Sequence, residues 1–173
     1  MPGATDIAQW GSAVTGANTV TLGANLSLGQ LKIVNAGGLV TINAGSTLTL
    51  LADAGESTGI DMSTATANLT MNSNVTIGAS QIWNIGGGST LTVNGVVNDT
   101  TGGSKSLTKN GTGTLILAGN SSYDGGTILN AGLLVISGSS SALDGNTTIN
   151  GGTLRRRPRR MLWATTRRAI LCL

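Results

Sequence analysis

The chain repeats itself about every twenty-one residues, and that period constrains the fold more than any single motif. Six segments share an x-Leu-x-apolar core: ANLSL at 24–28, STLTL at 46–50, ANLTM at 67–71, STLTV at 89–93, GTLIL at 113–117 and GLLVI at 132–136. A seventh, GTL, begins at 152. The leading leucines are Leu26, Leu48, Leu69, Leu91, Leu115, Leu134 and Leu154, and their numbers alone show how little the interval varies. A period so narrowly held marks a unit that cannot bury its apolar face alone and must stack on copies of itself.

Inside each segment apolar residues alternate with Thr or Ser, as in Leu48/Leu50, Leu69/Met71, Leu91/Val93 and Leu115/Leu117. Alternation with a period of two is the signature of a strand with one buried face. Further apolar groups precede the core (Val40 and Ile42, Trp83 and Ile85, Leu107, Ile128) or follow it (Val75 and Ile77, Val97). Each period therefore supplies two or three short strands separated by Gly/Asn turns. The fold expected is all-β: a right-handed, single-stranded parallel β-helix (solenoid) of about seven coils of about 21 residues. Stacked at about 4.8 Å per coil, it makes a rod roughly 30 Å long. The leading leucines are expected to form one internal column, with Thr and Ser outside and Asn and Gly at αL corners. A β-sandwich is the competing all-β reading, but its strands recur every ~8–12 residues with no fixed twenty-one-residue register.

Composition agrees with a coil whose interior is aliphatic. The 173 residues include 27 Gly, no Phe or His, one Tyr and three Trp. The net charge of +3 is an average over two unlike parts. Residues 1–154 hold three Lys, no Arg and all seven acids, a net of −4, whereas residues 155–173 hold seven Arg and no acid. The main body thus offers no basic footprint for nucleic acid. Its one cysteine, Cys172, excludes a disulfide framework or thiolate metal site in residues 1–154. The N-terminal stretch MPGATDIAQWGSAV lacks the charged and apolar regions of a signal peptide, and no run is long enough to span a membrane as a helix.

From Gln81 to Leu154 the sequence resembles the passenger-associated repeat of bacterial autotransporters (the autotransporter-associated beta strand repeat). The family pattern, Leu-Thr-Lys-x-Gly-x-Gly-Thr-Leu-x-Leu-x-Gly-x-Asn-x-Tyr-x-Gly-x-Thr-x-Ile, falls on Leu107, Thr108, Lys109, Gly111, Gly113, Thr114, Leu115, Leu117, Gly119, Tyr123, Gly125 and Thr127, with Ile128 beside its last position. A Gly-Leu-x-Val strand follows at Gly132, Leu133 and Val135, and Ser121 stands where the family often has a second Asn. The resemblance implies a structural β-helical passenger segment of type V secretion, exposed at the bacterial cell surface or outer membrane or released. It also implies an adhesin-like stalk that supports its own export and is not an enzyme. Its implied partners are the outer-membrane barrel of a longer parent and host-surface or glycan ligands reached through that parent.

Other chemistry is weaker. KNGTGTLILAGN at 109–120 has lysine before its glycines, the reverse of a phosphate-binding P-loop, and runs into a strand where a dinucleotide fingerprint needs a helix. Asp6, Asp53, Glu56, Asp61, Asp99, Asp124 and Asp144 are scattered. Stacking could bring Asp99 to Asp124, or Asp124 to Asp144, but a lyase or glycosidase site also wants a basic partner. A carbohydrate-active β-helix with its catalytic coils outside this chain is the alternative. Trp10, Trp83 and Tyr123 are groove candidates, with core packing the expected use of Trp83 and a structural role that of Tyr123. Asn-x-Ser/Thr triplets begin at Asn25, Asn68, Asn98, Asn120 and Asn146 among others, as chance provides in a chain this rich in those residues. No catalytic, cofactor-binding or metal-ligating residue is expected.

The domain boundary is set at 154/155, between a β-helix passenger fragment (1–154) and an Arg-rich tail (155–173). Back-translated with CTN leucine and read from the third base, Met161-Leu162-Trp163-Ala164-Thr165-Thr166 gives Ala, then Leu, Met or Val, then Gly, then two codons of the Asn/Asp/His/Tyr set. That echoes Ala142-Leu143-Asp144-Gly145, so the tail is expected to be out of frame or disordered. The coil opening at Gly151 is expected to leave an uncapped edge that frays or self-associates.

Overall fold

A computed structural model describes residues 3, 5–52, 57–100, 104–138 and 146–157. The described residues form seven rungs of short parallel strands and contain no helix. The first rung is β1 (Ile7–Trp10), β2 (Asn18–Val20) and β3 (Leu26–Leu28), and the second is β4 (Gln30–Ile33), β5 (Val40–Ile42) and β6 (Thr47–Leu50). The third is β7 (Thr58–Met62), β8 (Leu69–Met71) and β9 (Asn74–Ile77), and the fourth is β10 (Gln81–Ile85), β11 (Thr90–Val93) and β12 (Val97–Asp99). The last three have two strands each: β13 (Leu107–Asn110) and β14 (Thr114–Leu117), β15 (Thr127–Leu129) and β16 (Leu133–Ile136), β17 (Thr147–Ile149) and β18 (Thr153–Arg156).

Corresponding strands stack into three sheets. The first sheet runs β1-β4-β7-β10-β13-β15-β17, the second β2-β5-β8-β11-β14-β16-β18, and the third β3-β6-β9-β12. This is the expected parallel β-solenoid, seven rungs linked by six turns. The third sheet stops at the fourth rung, so the described coil is three-sided before residue 100 and two-sided after it. The step along the second sheet shortens accordingly: Leu115 to Leu134 and Leu134 to Leu154 are both shorter in sequence than Leu91 to Leu115.

The single leucine column is overturned. Leu26 pairs with Leu48 in the third sheet, whereas Leu69, Leu91, Leu115, Leu134 and Leu154 climb the second. Leu69 lies beside Val40 of the rung before it, and Leu48 beside Val75 of the rung after it. The connection into the third rung, from Leu50 to Thr58, is longer than those into the second and fourth. Every one-faced strand reads x-Leu-x-apolar whichever side of the coil it occupies. The interval from Leu48 to Leu69 therefore bridges two different sheets while imitating the period of one. Ile128 is a second correction: it faces outward between the buried Thr127 and Leu129.

Inward residues make a continuous aliphatic core that includes Leu48, Leu50, Leu69, Met71, Leu91, Leu115, Leu117 and Leu134. The first sheet supplies an inner column of Leu31, Ile60, Trp83, Lys109 and Leu129, all without exposed surface. Corners between sheets leave almost no room. A Cβ on Gly119 would stand 2.1 Å from the Gly95 carbonyl oxygen, and one on Gly138 would stand 2.1 Å from that of Gly119. Gly132 adds a φ of +75° to a Cβ position 2.4 Å from the Gly113 oxygen. Glycine is required there by both space and conformation. The expected αL asparagines are few: among the described non-glycine residues, positive φ falls on Asn35, Ala52 and Ser57.

Arg155 and Arg156 lie within β18, opposite Val135 and Ile136. Residues 158–173, together with Asp53, Glu56 and Asp144, lie outside the described residues.

Candidate functional site: the Lys109 corner

The stretch KNGTG turns the chain from the first sheet into the second. Leu107 and Lys109 are two positions apart in a strand and so share a face, which is the inward one. Lys109 is thereby placed in the inner column, between Trp83 on the rung before and Leu129 on the rung after. Its ammonium donates to three backbone carbonyls, Asn110 at 3.1 Å, Gly111 at 2.8 Å and Ala131 at 3.2 Å. An ammonium has three N–H donors and no acceptor, so the set is complete. Two acceptors belong to its own rung and the third to the next, so the side chain staples two rungs at their shared corner. Desolvation pulls its pKa down to about 8.

This geometry removes the phosphate-loop reading. The lysine points inward, and the nearby amides are committed to the neighbouring rung: Gly113 N donates to Ile85 O at 2.9 Å and Thr114 N to Ser89 O at 3.1 Å. The aromatic groove candidates are also internal. Trp83 is fully buried and donates to Gln81 Oε1 at 3.0 Å, while Gln81 donates to Leu50 O at 3.1 Å and Ala79 O at 3.2 Å. Tyr123 is buried with its hydroxyl 2.7 Å from Thr127 Oγ1, and burial drives its pKa up to about 12. Trp10 is half-buried on the first rung and donates to Asn18 Oδ1 at 3.0 Å.

The carboxylates of Asp6, Asp61 and Asp99 bond within turns or across rungs. Asp99 Oδ2 accepts from the backbone of Lys105 at 3.1 Å and of Asp124 at 3.3 Å, so Asp99 and Asp124 are brought together, but as a turn clamp. Asp6 accepts from Gly3 N at 2.7 Å. Asp61 pairs with Lys32 at 3.1 Å across adjacent rungs. Its burial raises its pKa, but hydrogen bonds from Ser63 and Lys32 outweigh that and leave it lowered. Among the described residues no group of three or more His, Cys, Asp or Glu could hold a metal ion. A surface depression of 460 Å³ beside Gly37, Gly38 and Thr66 is lined by no titratable side chain.

Sequence reasoning missed what the asparagines do. On the outside of the first sheet, Asn130 Nδ2 donates to Asn110 Oδ1 and Asn150 Nδ2 to Asn130 Oδ1, both at 2.7 Å. A second step joins Asn94 Nδ2 to Asn72 Oδ1 at 2.7 Å. The signal was present as a constant interval: Asn110, Asn130 and Asn150 are evenly spaced at nearly the repeat period, and Asn72 and Asn94 are separated by a similar step. The Asn-x-Ser/Thr asparagines Asn25, Asn68 and Asn98 also bond across rungs. Asn25 Oδ1 accepts from Thr47 N at 2.9 Å, Asn68 Oδ1 from Thr90 N at 2.8 Å and Asn98 Oδ1 from Thr76 Oγ1 at 2.8 Å.

The two-sided rungs are where this corner sits, and they are also where known proteins are matched. A family model described as Passenger-associated-transport-repeat matches residues 107–136 and again 131–155. Together the two matches cover residues 107–155, less than a third of the chain. The first match covers the fifth and sixth rungs with their glycine corners, including Lys109 and Tyr123, and the second runs from the second strand of the sixth rung into the seventh. The chain is also 46% identical over 56 residues to the "Adhesin BmaC autotransporter" of Brucella suis biovar 1 (strain 1330), covering 32% of this chain and 2% of that relative. The chain therefore spans a very small part of the curated relative it matches. No solved structure matches. Family match and fold together support an autotransporter passenger repeat region with a β-solenoid architecture.

Proposed function

We propose that this chain is a structural stalk segment of an autotransporter passenger, held at the cell surface or outer membrane and devoid of catalysis. The observation that carries the reading is the coincidence of the transport-repeat match with the rungs from Leu107 onward. Their polar side chains, Lys109, Tyr123, Asn110 and Asn130, are engaged in holding the rungs together. A rod of backbone ladders extends a distant adhesive region from the membrane, and rung-by-rung stacking lets it fold as it emerges, which supports export. The partners proposed are the parent's outer-membrane barrel during transport and surface or glycan ligands bound elsewhere on the parent. Among the described residues no arrangement favours the carbohydrate-active alternative, because Asp99 and Asp61 serve turns and an ion pair.

The test is surface display from the parent gene with residues 107–155 deleted in frame. Reduced display of the remaining passenger, read by external protease and antibody, is expected. Undiminished display would overturn the export role. Out-of-frame reading of residues 155–173 is proposed with it, and the DNA past codon 154 decides it: a neighbouring frame that continues the repeat is expected, and its absence refutes the proposal. Self-association at the last rung is proposed on the 51% exposure of Ile149. Concentration-dependent size-exclusion behaviour is expected, and a clean monomer contradicts it.

A further inference from the structure

Three Asn-Gly steps occur in the described rungs, Asn94-Gly95, Asn110-Gly111 and Asn150-Gly151, and every one ends a strand beside the asparagine ladders. Their surroundings differ in a way that bears on covalent chemistry. At Asn94 and Asn150 the side-chain nitrogen is the ladder donor, to Asn72 and Asn130 respectively. The following amides are engaged too, Gly95 N with Met71 O at 3.5 Å and Gly151 N with Leu129 O at 3.3 Å. At Asn110 the relation inverts. Its side-chain carbonyl oxygen accepts from Asn130 Nδ2 at 2.7 Å, its backbone carbonyl accepts from the Lys109 ammonium at 3.1 Å, and among the described residues no backbone acceptor is bonded to Gly111 N.

Each of those contacts favours one step of the same reaction. Attack by a backbone nitrogen on the preceding side-chain amide needs an accessible nitrogen, stabilisation of the amide anion that forms when it loses its proton, and a polarised target carbonyl. Gly111 N is not tied to a backbone acceptor, and its residue carries no side chain to shield it. A cation on the Asn110 carbonyl stabilises the anion delocalised over that same peptide group. The Asn130 donor withdraws density from Asn110 Cγ and receives the negative charge that develops on Oδ1.

We propose that Asn110-Gly111 is a built-in self-modification site, at which the corner promotes intramolecular deamidation. Gly111 N bonds to Asn110 Cγ, the Cγ–Nδ2 bond breaks, and ammonia leaves with the proton lost from Gly111. Water then opens the five-membered imide at either carbonyl, giving aspartate or isoaspartate at 110. The two products have different consequences. Aspartate retains an acceptor for Asn130 and adds a negative charge. Isoaspartate inserts a methylene into the main chain at the corner, displacing the two carbonyls of the fifth rung that Lys109 holds and loosening its junction with the sixth. The chain thereby carries an irreversible timer on the transport-repeat stack, and the co-reactant is water alone.

The test is incubation of the folded full chain at neutral pH, where Lys109 keeps its charge, with isoaspartate at each Asn-Gly step quantified by peptide mapping and enzymatic methyl labelling. Asn110 is expected to modify several-fold faster than Asn94 or Asn150. N130L and K109M are each expected to slow Asn110 several-fold while leaving Asn94 unchanged. Because K109M could loosen the fold, K109R serves as a second variant that keeps a cation on the carbonyl and should retain the fast rate. A rate at Asn110 equal to or below that at Asn94, or an unchanged Asn110 rate in N130L, would overturn the proposal. A rise at all three steps in a variant reports unfolding, and the K109R and N130L rates then decide.

Discussion

The first four rungs and the last three solve one problem differently. Between Leu26 and Asp99 the coil has three sides, so each rung is tied to its neighbour by three sets of ladder hydrogen bonds around an aliphatic core. From Leu107 the described rungs lack the third side, and each has two ladders. Side-chain bonds cross rungs in both parts: Asn25–Thr47, Asn68–Thr90 and Asn72–Asn94 in the first, and the Lys109 staple and the Asn110–Asn130–Asn150 ladder in the second, where there is one sheet fewer beside them. The difference teaches that in the two-sided rungs, with one ladder fewer, each side-chain bond is a larger share of what joins neighbouring rungs. Buried polar groups are costly unless satisfied, and Lys109 and Tyr123 are both buried and satisfied.

The comparison can be broken first at the glycine corners. G132A forces a Cβ against the Gly113 carbonyl at 2.4 Å from a φ of +75°, and should cost about 3 kcal/mol or more by denaturant titration. A cost below that of an ordinary surface change would mean that the corner can relax and that the two-sided rung is not tightly built. K109M comes next: it leaves three carbonyls, on Asn110, Gly111 and Ala131, without their donor. Loss of about 2 kcal/mol is expected, since stranded buried acceptors cost ~1–3 kcal/mol each but the buried charge is also removed. Asn130→Ala breaks both ladder bonds at an exposed position and should cost about 1 kcal/mol. The three-sided counterpart Asn94→Ala breaks the single bond to Asn72 and should cost less. Equal costs would erase the distinction between the regions.

The smallest expected effect is on pH. Burial holds the folded Lys109 pKa at about 8, below its ordinary 10.5, so the unfolded chain binds more protons in that interval. Stability should therefore rise as pH increases above about 8. Tyr123, held at about 12 against an ordinary 10.0, acts in the opposite sense above pH 10. Thermal melts between pH 8 and 10 should show the rise, and K109M should flatten it.

The parts read correctly from sequence are those that follow from alternation. Leu115 and Leu117 face inward with Thr114 and Ile116 outward, as the two-residue period requires. The solenoid itself followed from the narrow spacing. The leucine column failed because alternation shows which face is buried but not which side of the coil the strand occupies, and Leu48 and Leu69 belong to different sides. Lys109 was legible in principle, two positions after an inward Leu107, but a charged residue at an inward position is set aside when no partner is visible. Its partners are main-chain carbonyls, one of them on the following rung, and carry no letter of their own. The asparagines were read as turn formers because that is their commonest use, while their ladder depends on rung-to-rung register.

The central claim, that the two-sided rungs depend more on their side-chain bonds than the three-sided rungs do, is tested most directly by native-state hydrogen exchange on the chain and on K109M. The account predicts that the variant loses amide protection across residues 107–136 while Leu69–Ile77 and Leu91–Val97 keep theirs. Equal loss in both regions, or none in either, would contradict it.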